Sequence, residues 1–121
     1  MMRRLRIRLA IGALLLPALA GCHSYHVDTR VENRTGAPIS LLEVDYPSAS
    51  FGTGRLAPDA VYSYQMQFRN SGPITVQYTA ADNHMVKITG PTVAERQEGS
   101  MQIILLPNGK AEFQPNLTPA H

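Results

Sequence analysis

Beyond residue 24 the apolar side chains of this chain return at every second position, in short runs cut by turn signals. A strand shows alternate side chains to opposite faces, so this spacing describes half-buried β-strands and leaves no helical stripe. Tyr25, Val27, Thr29 and Val31 alternate with His26, Asp28, Arg30 and Glu32, and Asn33-Arg34-Thr35-Gly36 then turns the chain. Leu42, Val44 and Tyr46 alternate with Glu43 and Asp45, while Ile39 and Leu41 fall on the opposite phase, which predicts a bulge near Leu41. The clearest run is Val61 to Phe68. Tyr62, Tyr64, Met66 and Phe68 share one face and Ser63, Gln65 and Gln67 the other. This stripe reads as a core face rather than a binding surface.

The second half continues in the same way. Asn70-Ser71-Gly72-Pro73 is a turn. Ile74, Val76, Tyr78 and Ala80 point inward, and Ala81-Asp82-Asn83 links them to Val86 and Ile88. Met101 to Leu106 is nearly continuous apolar, which predicts a central strand buried on both sides. Asn108-Gly109 is the strongest hairpin signal, because both residues tolerate the positive φ of a type I′ turn. Ala111 and Phe113 then pack, with Lys110, Glu112 and Gln114 in water. Two stretches read as loops, Pro47 to Gly54 and Gly90 to Gly99. Pro115 and Pro119 argue against a further strand, so residues 116–121 are expected to be a flexible tail. The sum is an all-β chain: an antiparallel β-sandwich of seven or eight short strands over residues 25–115. The pattern Val31-x-Asn33-x-Thr35-Gly36, with Leu56-x-Pro58 and Ile74-x-Val76-x-Tyr78, resembles small immunoglobulin-like or transthyretin-like periplasmic modules.

The front of the chain has another plan. Arg3, Arg4, Arg6 and Arg8 precede an apolar stretch from Leu9 to Leu16, then Pro17 and the small residues Ala18, Ala20 and Gly21. A positive start, a short apolar middle and a small-residue end make a secretory signal. Leu9 to Gly21 is too short for a membrane span, which takes roughly 20 residues. Arg3-Arg4 lacks the flanking residues of a twin-arginine signal. Leu19-Ala20-Gly21-Cys22 resembles the lipobox of bacterial lipoproteins. The resemblance implies cleavage between Gly21 and Cys22, diacylglycerol on the Cys22 thiol and acylation of the new amine. With two or three chains, each buried methylene adding about 0.8 kcal/mol, such an anchor is lasting. His23 follows where an Asp would imply retention in the inner membrane, so the resemblance implies the outer membrane. Residues 1–21 are then a signal peptide and 22–24 a lipidated tether.

Cleavage also reverses the charge. Removing four of the 11 Lys and Arg leaves seven against 9 Asp and Glu, a net −2 in place of +2. No basic patch remains to suggest nucleic acid. The only cysteine is consumed by lipid, which leaves no disulfide. Asn33-Arg34-Thr35 and Asn116-Leu117-Thr118 match a glycosylation acceptor, but in a bacterial chain they are chance matches.

His23 and His26 lie three apart, with His84 and His121 elsewhere, and Met66, Met85 and Met101 add soft sulfur suited to copper. Residues three apart on a strand face opposite ways, so these histidines read as solvent-exposed and no metal or cofactor is expected. There is no Gly-x-Ser-x-Gly elbow and no His-Glu-x-x-His. Glu43 with Asp45, and Glu95 with Glu98, are acid pairs, but the outer face of a strand supplies no cleft to raise one pKa. Gly52-Thr53-Gly54 has no lysine and no helix behind it to hold phosphate. What remains is a non-enzyme that meets the membrane through its lipid and another envelope protein through edges or end loops. The alternative is a module for a small ligand or metal ion. Patterning starts at Tyr25, so the tether spans roughly 10 Å at about 3.3 Å per residue, and the first strand's end should face lipid.

Overall fold

The computed structural model describes residues 25–120. Within them eight strands run in chain order: β1 (Val27–Asn33), β2 (Ile39–Tyr46), β3 (Ala49–Leu56), β4 (Val61–Met66), β5 (Gly72–Thr79), β6 (Met85–Val93), β7 (Gln97–Leu106) and β8 (Lys110–Pro119). They form two four-stranded sheets, ordered β4-β1-β7-β8 and β3-β2-β5-β6. The fold is the all-β sandwich that the alternation required. The signal peptide, Gly21, Cys22, His23 and His121 lie outside the described residues.

The core follows the period-two reading except on β4, an edge strand, where Met66 and Phe68 are buried but Tyr62 is half-buried and Tyr64 exposed. Val27, Val31, Val44, Ile74, Val76, Ile103 and Leu105 are fully buried between the sheets, together with Met66, Phe68 and Met101. Each such aliphatic side chain removed from water is worth about 1.5–3 kcal/mol, which is what holds two sheets face to face. The predicted bulge is present. The β2–β5 register slips between Ser40 and Glu43, and Leu41 takes φ 52°. The slip lets Ile39 and Leu42 both face the core. At the β7–β8 hairpin, Asn108 (φ 65°) and Gly109 (φ 70°) adopt the positive dihedrals expected of that pair.

Four local expectations are corrected. The residues beyond 115 are not a tail, because β8 runs through Pro115 to Pro119 and Ala120 N–H donates to the Arg96 carbonyl at 2.8 Å. Proline is excluded from central strands by its missing N–H. β8 is an edge strand with one free side, and there the loss costs nothing. Pro47 to Gly54 is not a loop either: Pro47-Ser48 turns the chain and β3 begins at Ala49. β3 is also an edge, and only Phe51 and Leu56 of its residues are buried, so its alternation is faint. Gly90 to Gly99 divides between the end of β6, a turn at residues 94–96 and the start of β7. Finally, β7 is central but buried on one face only. Met101, Ile103 and Leu105 are sealed, whereas Ile104 and Leu106 are half-buried on an outer face that no other layer covers.

The pairing is antiparallel except between β1 and β7, which run parallel from Val27↔Gly99 to Asn33↔Leu105. Both sides of the sandwich are closed by side chains. On one, Phe51 of β3 stacks on Tyr64 of β4 at 4.5 Å between ring centroids and on Tyr62 at 6.0 Å. On the other, the Phe113 ring of β8 lies on Gly90 of β6, where a Cβ would come within 2.6 Å of a ring carbon.

Candidate functional site

Strand directions sort the loops into two ends. β1 and β7 both start at one end, where the described chain begins and finishes. Tyr25 is pinned there: the Arg96 guanidinium sits 5.0 Å from its ring centroid, a cation–π contact. Gly99 N–H donates to the His26 carbonyl at 3.3 Å, and Arg96 N–H donates to the Phe68 carbonyl at 2.8 Å. Ser48 braces the same end, its hydroxyl donating to the Gln67 carbonyl at 2.7 Å.

The far end is built around Asn33. It ends β1 on the inward phase, and its side chain is completely buried. Its Nδ2 donates to the carbonyls of Ala37 (2.8 Å), Leu56 (3.1 Å) and Ala57 (3.2 Å). Its Oδ1 accepts from Thr35 N–H (3.1 Å) and from the Thr35 hydroxyl (2.7 Å). Its backbone N–H donates to Ala60 at 3.0 Å, and its carbonyl accepts from Asp59 N–H at 2.7 Å. One side chain thus ties the β1–β2 turn to the β3–β4 loop and supplies partners to carbonyls that neither sheet can satisfy.

Beside this knot lies an open groove of about 890 Å³, between the β1–β2 turn, the β5–β6 turn and the β7–β8 hairpin. Ile39, Tyr78 and Val86 line it, with Thr35, His84 and Asn108 among its polar residues. Tyr78 is 3% exposed, and burial pushes its phenol above the usual value. Its hydroxyl has no hydrogen-bond partner among the described residues. No side-chain N or O there is both sealed from solvent and unpaired, so the hydroxyl opens into the groove. Tyr46, toward the other end, is also raised, by burial first and by Tyr64 second, against an opposing pull from Arg69.

The histidines and methionines do not converge. His26 precedes β1 at the near end and His84 closes the β5–β6 turn at the far end, a strand length of about 23 Å away. Met66 and Met101 are in the core, whereas Met85 is 73% exposed. Among the described residues no three His, Cys, Asp or Glu side chains gather in a metal-binding group. Glu43 and Asp45 share the outer face of β2, where the Glu43 carboxylate accepts from Gln77 Nε2 at 2.7 Å. Glu95 belongs to the β6–β7 turn and Glu98 to β7. Gly52 has a packing role. A Cβ there would lie 2.1 Å from the Leu42 carbonyl oxygen, so only glycine lets β3 approach β2 this closely.

Sequence reasoning placed Asn33 in a turn and missed its side chain. The signal was an amide on the inward phase of an apolar strand, two residues before Thr35. The groove had no signal, because three separate connections form it. No family model, curated protein sequence or solved structure matches this chain.

Proposed function

We propose that the chain is a lipid-anchored, non-catalytic envelope protein, an interaction or structural module held at the periplasmic face of the bacterial outer membrane by acyl chains on Cys22. The observation that carries this reading is the distance between anchor and body. The lipobox resemblance ends at Cys22, and Tyr25, three residues further on, is held beneath Arg96. A three-residue tether reaches roughly 10 Å, which keeps the near end at the headgroups and turns the Asn33 end away from the bilayer. Of the two fold resemblances, the transthyretin-like one fits the strand order better. Antibody domains keep their first two strands in one sheet, whereas β1 and β2 lie in different sheets.

The test is detergent-phase partitioning of native protein beside a Cys22→Ser variant, with mass spectrometry of the mature N-terminus. Wild type should enter the detergent phase carrying acyl mass, and the variant should stay aqueous. A bare Cys22 in native material ends the proposal. The second reading, a module for a small ligand, is favoured by the unpartnered Tyr78 hydroxyl at the groove. A ligand using it would bind the Tyr78→Phe variant measurably more weakly by calorimetry.

A further inference from the structure

Three connections line the groove at the Asn33 end, and each is held by bonds or packing of its own. In the β1–β2 turn the Ala37 carbonyl accepts from Asn33 Nδ2 at 2.8 Å and from the Thr35 hydroxyl at 3.0 Å. In the β5–β6 turn Ala80 N–H donates to the His84 carbonyl at 2.7 Å, and His84 N–H donates to the Asp82 carboxylate at 3.0 Å. The β7–β8 hairpin turns on the positive φ of Asn108 and Gly109 and lies on Val86, which a Cβ at Gly109 would meet at 3.6 Å. Walls fixed in this way lose little freedom when a ligand enters.

The floor differs from the walls. Ile39 and Tyr78 are buried there, with Val86 half-buried beside them. Tyr78 is only 3% exposed, yet its hydroxyl proton finds no acceptor among the described residues. A phenol so placed is satisfied only by whatever fills the groove. Burial alone pushes its pKa up, with no charged side chain contributing, whereas Tyr46 feels Arg69. The charged residues of the groove, Asp82 and Lys87, are opposite in sign and stand exposed at its rim. An anionic or cationic group brought to Tyr78 would therefore lose its water and gain no counter-charge. A neutral carbonyl loses less and accepts the phenol proton. Leu106 and Pro107 extend the apolar lining from Ile39 and Val86, and the volume of about 890 Å³ is that of a small-molecule site.

We propose that this groove binds a neutral small molecule with an apolar body, whose carbonyl-type oxygen accepts a hydrogen bond from the Tyr78 hydroxyl. The proposal rests on the small-ligand reading of the groove and names the class of ligand. The experiment uses the full chain in detergent and three probes that share one body: 3-phenylpropanamide, the anion 3-phenylpropanoate and the cation 3-phenylpropylammonium. Backbone amide NMR signals of Tyr78, Val86 and Asn108 report occupancy, with the free probe measured after equilibration with the detergent. The neutral amide should bind more tightly than either charged probe, by about tenfold. Tyr78→Phe keeps the ring and should weaken the amide about fivefold. A charged probe that moves the same signals and binds as tightly or more tightly overturns the neutral class and leaves the small-ligand reading standing. An amide whose affinity is indifferent to Tyr78→Phe overturns the assigned hydrogen bond. Signals that no probe moves, up to its solubility, overturn both the class and the small-ligand reading.

Discussion

Asn33 and Leu41 lie eight residues apart, at the same end of the sandwich, and invert the usual rule of inside and outside. Asn33 is a polar side chain with no exposure, and every polar atom it carries is bonded. Leu41 is an apolar side chain mostly in water, on a backbone that suits it poorly. The first is a buried amide whose interior bonds replace the water it gave up, and its purpose is visible within the chain. The second has a backbone whose bulge turns Ile39 and Leu42 to the core, but a side chain that buries little of itself.

The contrast can be broken by substitution, starting with the largest effect. Asn33→Ala leaves the Leu56 and Ala57 carbonyls without their donor and opens a hole among tightly packed turns. A loss of about 3 kcal/mol or more is expected by urea denaturation, enough to unfold a domain of ordinary stability. Gly52→Ala tests the edge of the second sheet. Its Cβ would strike the Leu42 carbonyl, and β3 must move, for a loss of about 2 kcal/mol in the same measurement. Leu41→Gly should act in the opposite sense. Relieving the left-handed leucine should raise stability by up to about 1 kcal/mol, less the entropy that glycine adds to the unfolded chain. If it destabilises instead, the leucine is structural and the contrast with Asn33 disappears.

The smallest effect belongs to Tyr78 and depends on pH. Its folded phenol titrates above the unfolded value of 10.0, because burial disfavours the phenolate. Stability from the neutral phenol is thus complete below pH 10 and is lost as pH rises from there through the folded pKa. Thermal melts of wild type and Tyr78→Phe should agree near neutrality to within about 0.5 kcal/mol and separate above pH 10, with the phenylalanine variant holding longer. Tyr46 shifts in the same direction and remains in both proteins, so the difference isolates Tyr78.

Where the alternation was strong, the strands were legible from the chain alone. Val27 to Val31 and Ile74 to Tyr78 stand in the core as their phase required, and the phase break at Leu41 located the bulge. The failures fall on edge strands. β3, the end of β6 and the end of β8 each lie beside only one neighbour, so fewer of their side chains are buried and proline or glycine is tolerated. A pattern that arises from burial fades where burial is one-sided. The half-buried Ile104 and Leu106 show the converse error: a continuous apolar run promised two covering layers, and the sandwich supplied one.

By itself the chain determined a β-sandwich, because face alternation is a local property carried by neighbouring residues. Only the tertiary structure decided that the first and seventh strands run parallel, that one amide joins two loops, and that three connections line a groove. Each of these depends on residues far apart in sequence, whose juxtaposition is set by how two sheets pack and not by any spacing along the chain.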